Sequence, residues 1–223
     1  MNKKLIRKNN FGRIPSMDKL INYNEVMKLI PEGARVLDLG SGDGYLLEEL
    51  IKKKNVIGTG VEINQDLAIE SMQKGLPIIQ GDIDEDLKQF QDKSFDYVIL
   101  NQTLQSIVKP DYVLKEILRI GKKSIVSFPN FAYWRVRFYL LLKGKMPKSE
   151  MLPYEWYNTP NIHLLTINDF HEFCKARNIE ILNSIYFTSG LKKSYRSNLI
   201  KANKHIANFF SSDAIFVIQE KNK

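Results

Sequence analysis

The stretch Val36-Leu37-Asp38-Leu39-Gly40-Ser41-Gly42-Asp43-Gly44 decides the fold. A compact aliphatic run, residues 35–39, ends abruptly in glycines spaced G-x-G-x-G. Residues 44–53 follow with Leu46, Leu47 and Leu50 on one side and Glu48, Glu49, Lys52 and Lys53 elsewhere, the pattern of an amphipathic helix. Strand, glycine turn and helix in this order make the ligand-facing corner of an open α/β sheet. Gly40 and Gly42 let the backbone turn tightly and approach a ligand with no Cβ in the way, and Gly44 allows the helix to pack closely on the strand.

Outward from this corner, short apolar runs alternate with helical patterns. Residues 56–63, 78–80, 95–100 and 124–128 read as strands. Asn64 can cap the helix after the first of these, and Gly75 lies just past that helix's end. Residues 110–120 form a helix that begins at Pro110, with Val113, Leu114, Ile117 and Leu118 as its apolar stripe. The rhythm breaks over residues 131–165, where aromatics, prolines and basic residues follow no strand pattern. It resumes at Thr166, which with Asp169 has the spacing of a capping box for a helix to about residue 177. Two last strands, 180–188 and 214–220, are joined by a long basic connection and are expected to close the sheet edge as an antiparallel pair. The expected fold is α/β: a Rossmann-like, doubly wound, seven-stranded sheet of the S-adenosylmethionine-dependent methyltransferase type, mostly parallel with an antiparallel closing strand. The expected organisation is one domain over residues 1–223, with an N-terminal extension and helix over 1–30 and an insertion over 131–165 that covers the pocket.

A glycine turn alone would also suit a dinucleotide, and three details separate the two ligands. Tyr45 occupies the last glycine position of G-x-G-x-x-G. Asp38 and Asp43 flank the turn, where they would repel a pyrophosphate but attract an ammonium and a sulfonium. Glu62, about twenty residues beyond the turn, can accept from both ribose hydroxyls, and Asp82 after the third strand can accept from an adenine amino group. The expected cofactor is S-adenosylmethionine, held by Asp38, Gly40, Ser41, Gly42, Glu62, Asp82 and Asn101. Asn101, at the end of the fourth strand, either orients cofactor or substrate or is a plain turn residue.

The chain has 223 residues, 43% of them hydrophobic, and a single cysteine. It is long enough for a sizeable core, and Cys174 alone cannot form an internal disulfide, which fits a cytoplasmic protein. No apolar run approaches the ~20 residues of a membrane span, and the basic residues 1–10 are followed by no apolar signal region. The net charge of +8 gathers in two one-sided stretches: Arg119, Lys122, Lys123, Arg135, Arg137, Lys143, Lys145 and Lys148, and then Lys192, Lys193, Arg196, Lys201 and Lys204. Both read as a solvated face or as the footprint of an acidic protein partner. No nucleic-acid partner is expected, because no readout motif accompanies them and strand four ends Asn101-Gln102-Thr103-Leu104 rather than in an asparagine-proline-proline-aromatic signature. No cluster of Cys, His and acids has metal-ligand spacing, so no metal is expected.

Four further stretches carry a resemblance. They are Phe95-Asp96-Tyr97-Val98-Ile99-Leu100-Asn101-Gln102-Thr103-Leu104-Gln105, Ser127-Phe128-Pro129-Asn130-Phe131-Ala132-Tyr133-Trp134-Arg135-Val136-Arg137, Leu152-Pro153-Tyr154-Glu155-Trp156-Tyr157-Asn158-Thr159-Pro160-Asn161-Ile162-His163 and Thr166-Ile167-Asn168-Asp169-Phe170. Together they resemble the MetW family of bacterial methionine biosynthesis proteins over roughly residues 32–187. The family often has cysteine where this chain has Ser41. The resemblance implies a methyltransferase-like fold whose role is to associate with homoserine O-acetyltransferase (MetX) and raise its activity. It brings no methyl acceptor with it, and the alternative is an active small-molecule methyltransferase whose base is unassigned. Tyr133, Trp134, Arg135, Tyr154, Trp156 and His163 are the expected partner- or substrate-facing residues. The aromatics among them either present a partner surface or pack a lid over the ligand, and His163 is either a structural hydrogen bonder or a base.

Overall fold

In the computed structural model, residues 17–148, 152, 154–188 and 203–221 are described. Arg35–Leu39 is β1 and Tyr45–Lys54 is α2, preceded by α1 at Met17–Leu29. Ile57–Glu62 (β2), Gln65–Gln73 (α3) and Ile78–Gln80 (β3) follow, then Phe95–Asn101 (β4), Pro110–Ile120 (α4) and Gly121–Pro129 (β5). After Trp134–Lys143 (α5) come Ile167–Ala176 (α6), Ile179–Phe187 (β6), Lys204–Phe210 (α7) and Asp213–Glu220 (β7).

The seven strands lie in the order β3-β2-β1-β4-β5-β7-β6. Neighbouring strands pair in parallel except at β7, which runs antiparallel to both β5 and β6 and so sits between them. The expected fold is therefore observed, with β6 rather than β7 at the edge. Between β1 and β4 the strand order reverses, which opens a crevice at their carboxyl ends.

Strand parity sorts the core into two layers. Leu37, Leu39, Val98, Leu100, Val126, Phe128 and Phe216 pack on one face with Val113, Ile117 and Phe170 of α4 and α6. Val36, Ile99, Ile125 and Ile215 pack on the other with Val26 and Ile30 at α1 and Leu46 and Leu50 of α2. Within the expected N-terminal segment, α1 closes one layer of the core. The same parity puts Asp38 on the face that α1 covers.

Thr166 caps α6 as its sequence implies. Its Oγ1 accepts from Asp169 N–H at 3.2 Å, and Asp169 Oδ2 accepts from Thr166 N–H at 2.9 Å. Thr166→Ala is expected to lower stability by about 1 kcal/mol, read as a shift of the urea midpoint at constant m.

Residues 131–165 differ from expectation in one respect. They contain α5, a helix that the sequence hides because its apolar residues run around the whole circumference instead of forming a stripe. The basic stretches do not make one face either: Arg119 pairs with Glu116 and Asp92, and Lys122 with Asp96. Lys192, Lys193, Arg196 and Lys201 lie outside the described residues, as do residues 1–16. Among the described residues no helix is long and apolar enough to cross a membrane.

Candidate functional site

The glycine turn is pinned to β2 by Gly40 N–H and Ser41 N–H, which both donate to Val61 O at 2.8 and 3.1 Å. Gly40 and Gly42 have φ of +72° and +59°, the left-handed region that favours glycine. A Cβ on Gly40 would lie 2.7 Å from the Thr103 side chain, so the loop after β4 rests directly on the turn. A Cβ on Gly42 would meet nothing within 4 Å, which leaves open space over the turn's outer amide.

Glu62 ends β2 and is 7% exposed. Its Oε2 accepts from Gly42 N–H at 2.7 Å and its Oε1 from Asn64 N–H at 2.8 Å. Each carboxylate oxygen keeps a second lone pair, so Glu62 both holds the turn in shape and can accept from two vicinal hydroxyls. Gly81 N–H donates to Glu62 O at 3.1 Å and places Asp82 beside it. One carboxylate oxygen of Asp82 accepts from Asp84 N–H at 2.8 Å, the work of a turn cap, and the other remains for a ligand.

Asp38 is 2% exposed, and burial, followed by the charge of Glu62, pushes its carboxyl up to about 7. Tyr23 of α1 stacks on Tyr45 at 5.5 Å, and its phenol is held well above the ordinary range by burial and by Asp43 and Asp38. Ser41 is buried, and its Oγ has no partner among the described residues. A cationic ligand with hydroxyls fits this set: acids for the charge, an orphan hydroxyl and an open cradle at Gly42.

Asn101 is drawn away from the turn. Its Oδ1 accepts from Ser127 Oγ, which itself accepts from Gln102 N–H at 3.0 Å and Asn22 Nδ2 at 3.4 Å. Gln102 has φ of +55°, and its Nε2 donates to Asp213 Oδ1 at 3.4 Å. The crevice beside the turn is therefore walled by a buried polar network from α1, β4, β5 and β7.

The residues expected to face a partner fall into three places. Tyr133 is buried at the start of α5, Trp134 packs edge-on against it at 5.9 Å, and Arg135 lies 5.4 Å over the Trp134 ring. Tyr154 and Trp156 stand in solvent, Trp156 at 75% exposure. His163 returns to the sheet: Ile162 N–H and His163 N–H both donate to Gln105 O, at 2.8 and 3.0 Å. His163 Nε2 and Gln105 Oε1 are buried without hydrogen-bond partners among the described residues. Gln105 Nε2 donates to Gln102 O at 2.8 Å, which ties residues 161–163 to the crevice. No local pattern assigns these contacts to Tyr23, Thr103 or Gln105; in the sequence Thr103 and Gln105 figure only within the stretch 95–105 that carries the family resemblance.

A cavity of about 670 Å³ lies at the other end of the sheet, near Leu114, Leu118, Phe173 and Ile179. Three of its four cations are already engaged: Arg177 with Asp111, Arg119 with Asp92 and Glu116, and Lys93 on the Leu118 and Gly121 carbonyls. It is remote from the turn.

Comparisons with known proteins place this arrangement. The bifunctional methionine biosynthesis protein MetXA/MetW of Rhodopirellula baltica is 35% identical over 185 residues, covering 78% of this chain and 30% of that protein. The chain thus spans about a third of that relative's length. Among solved structures, a possible histamine N-methyltransferase of Thermotoga maritima superposes with a TM-score of 0.64 at 17% identity, over 92% of this chain and 89% of that one. The [4+2]-cyclase SpnF superposes with 0.63 at 16% identity, over 96% and 86%. At such identities they show the fold alone, and their names show that this fold serves more than one chemistry. The profile of the family described as methionine biosynthesis protein MetW matches residues 21–218. The chain belongs to the MetW family, built on the fold of the S-adenosylmethionine-dependent methyltransferases.

Proposed function

We propose that this chain acts in methionine biosynthesis in the cytoplasm by associating with homoserine O-acetyltransferase and raising its activity, with S-adenosylmethionine as a ligand of the glycine-turn site. One observation carries the reading: a relative 35% identical to this chain is named for MetXA and MetW joined in one protein. Two functions fused in one relative are held at high effective concentration there, as partners are. The ligand half rests on Glu62, whose oxygens hold the Gly42 and Asn64 amides and keep lone pairs for ribose hydroxyls, and on the acids Asp38 and Asp43 for the ammonium. In this reading Gly40, Ser41 and Gly42 cradle the methionine end, Asp82 takes the adenine amino group, and Asn101 shapes the crevice through Ser127. S-adenosylmethionine is the end product downstream of the acetyl transfer, so its occupancy reports methionine supply. A coupling of ~1–3 kcal/mol between the two binding events gives a 5–150-fold response.

The test mixes the purified chain with homoserine O-acetyltransferase of the same organism and follows acetyl transfer with and without S-adenosylmethionine. A higher rate with a detectable complex is expected. No complex and no change in rate overturns the reading.

A second reading, methyl transfer to a small molecule, is favoured by the buried unpartnered Nε2 of His163 next to the loop after β4. There His163 takes the acceptor's proton, and His163→Gln lowers transfer about 100-fold or more at unchanged cofactor affinity. Failure of methyl-labelled S-adenosylmethionine to label any small molecule of the organism's extract excludes it.

A further inference from the structure

Helix α5 contributes no buried residue. Its second half, Phe138-Tyr139-Leu140-Leu141-Leu142, is exposed all round, with Leu141 at 76% and Leu142 at 75%. A ten-residue helix draws little stability from its own hydrogen bonds, since isolated helices below ~12–15 residues are marginal in water. This one is fastened at its start: Arg137 Nε donates to Ala132 O at 2.5 Å, and the same guanidinium lies 5.6 Å over Phe209 of α7. Gly144 ends it in a left-handed cap. Residues 154–157 present Trp156 and Tyr157, packed edge-on at 5.7 Å, from a turn held by Glu155 N–H to Asn158 Oδ1 at 2.9 Å. A hollow of about 50 Å³, room for a small side chain, opens between Tyr154, Trp156 and Leu164 and the residues that flank α5 in the chain, Phe131 before it and Met146 after it. A folded chain seldom leaves so many large apolar side chains bare, and aromatic residues around a small hollow are the make-up of an interface hot spot.

We infer that α5 and residues 154–157 form the surface on which homoserine O-acetyltransferase docks, with an acid-rimmed apolar patch of that enzyme seated on it; this rests on the reading proposed above. Charge selects the occupant. Arg135, Lys143 and Lys145 border the patch, and neither Lys143 nor Lys145 has an ion pair among the described residues. A second copy of this chain would bring those cations against their own kind, which repels in a symmetric interface. A protein partner with carboxylates at its rim pairs with them, and it offers the fixed knob that the hollow fits, which a bilayer lacks.

The full-length chain carrying Leu141→Glu and Leu142→Glu together, and separately Trp156→Ala, tests the inference by calorimetric titration against purified homoserine O-acetyltransferase. Each variant is expected to weaken the complex about 30-fold or more. S-adenosylmethionine affinity and the melting temperature, as controls of folding, are expected to stay at parental values. Lys143→Glu with Lys145→Glu is expected to slow association and to flatten its salt dependence. Parental affinity in both apolar variants, when the parent itself binds the enzyme, overturns the surface and leaves the functional reading standing. Failure of the parent to bind overturns the reading itself. Two other results also overturn this assignment: self-association of the parent that the double variant abolishes, and co-sedimentation with anionic phosphatidylserine vesicles that it abolishes.

Discussion

Glu62→Ala is expected to weaken S-adenosylmethionine binding by 100-fold or more, the largest effect of any single change at the glycine turn. Two terms add. The direct one is loss of acceptors for both ribose hydroxyls, at roughly 1.5–3 kcal/mol for a hydrogen bond to a charged group. The indirect one is loss of the clamp on Gly42 N–H at 2.7 Å and Asn64 N–H at 2.8 Å, which leaves the turn to find its shape at the ligand's expense. Glu62→Gln separates them. A carboxamide has one oxygen and turns its amino group toward the second backbone donor, so it keeps part of the clamp and loses the charge. Calorimetric titration of the three proteins with S-adenosylmethionine is the measurement. An affinity of Glu62→Ala within threefold of the parent removes Glu62 from the ligand site.

The second large effect is a pH dependence centred on Asp38. Its folded carboxyl titrates near 7 against an ordinary 3.8, because burial and then the Glu62 charge disfavour the carboxylate. A raised folded value means that the folded protein binds the proton more tightly than the unfolded chain does. The stability this gives is complete below about pH 4 and is lost as pH rises through 7. At roughly 1.4 kcal/mol per pH unit, the group makes the protein about 4 kcal/mol less stable at pH 8 than at low pH. Asp38→Asn is expected to remove that slope and to exceed the parent in urea stability at pH 8. Ligand binding follows the opposite sign: an ammonium beside Asp38 favours the carboxylate, so affinity for S-adenosylmethionine is expected to rise about tenfold from pH 6 to pH 8 in the parent and to stay flat in Asp38→Asn. A parent whose stability does not fall between pH 5 and 8 relative to Asp38→Asn contradicts the account.

Much of this was legible in the chain. Residues 110–120 and 78–80 match α4 and β3 residue for residue, because a Pro-initiated stripe and a short aliphatic run are local patterns. The Thr166 capping box was legible for the same reason. Helix α5 was not: Phe138 to Leu142 carry no period, since the helix has no side that faces the core. The one-sided basic stretch around residues 119–148 is divided by the fold. Arg119 and Lys122 find acids that are distant in the chain, while Lys143 ends the exposed helix and Lys145 lies just past its Gly144 cap.

The sequence by itself determined the strand-turn-helix corner, the alternation that builds the doubly wound sheet, the acids at successive strand ends and the family. These depend on residues a few positions apart, where the strand period of two, the helix period of 3.6 and capping geometry act directly. Only the tertiary structure decided that Asp38 lies under α1 and shares its burial with Tyr23, that Thr103 rests on Gly40, and that Gln105 holds the backbone of Ile162 and His163. Those contacts join residues from 15 to more than 60 positions apart, and which of them form is settled by how the layers pack across the sheet, a choice that no local pattern encodes.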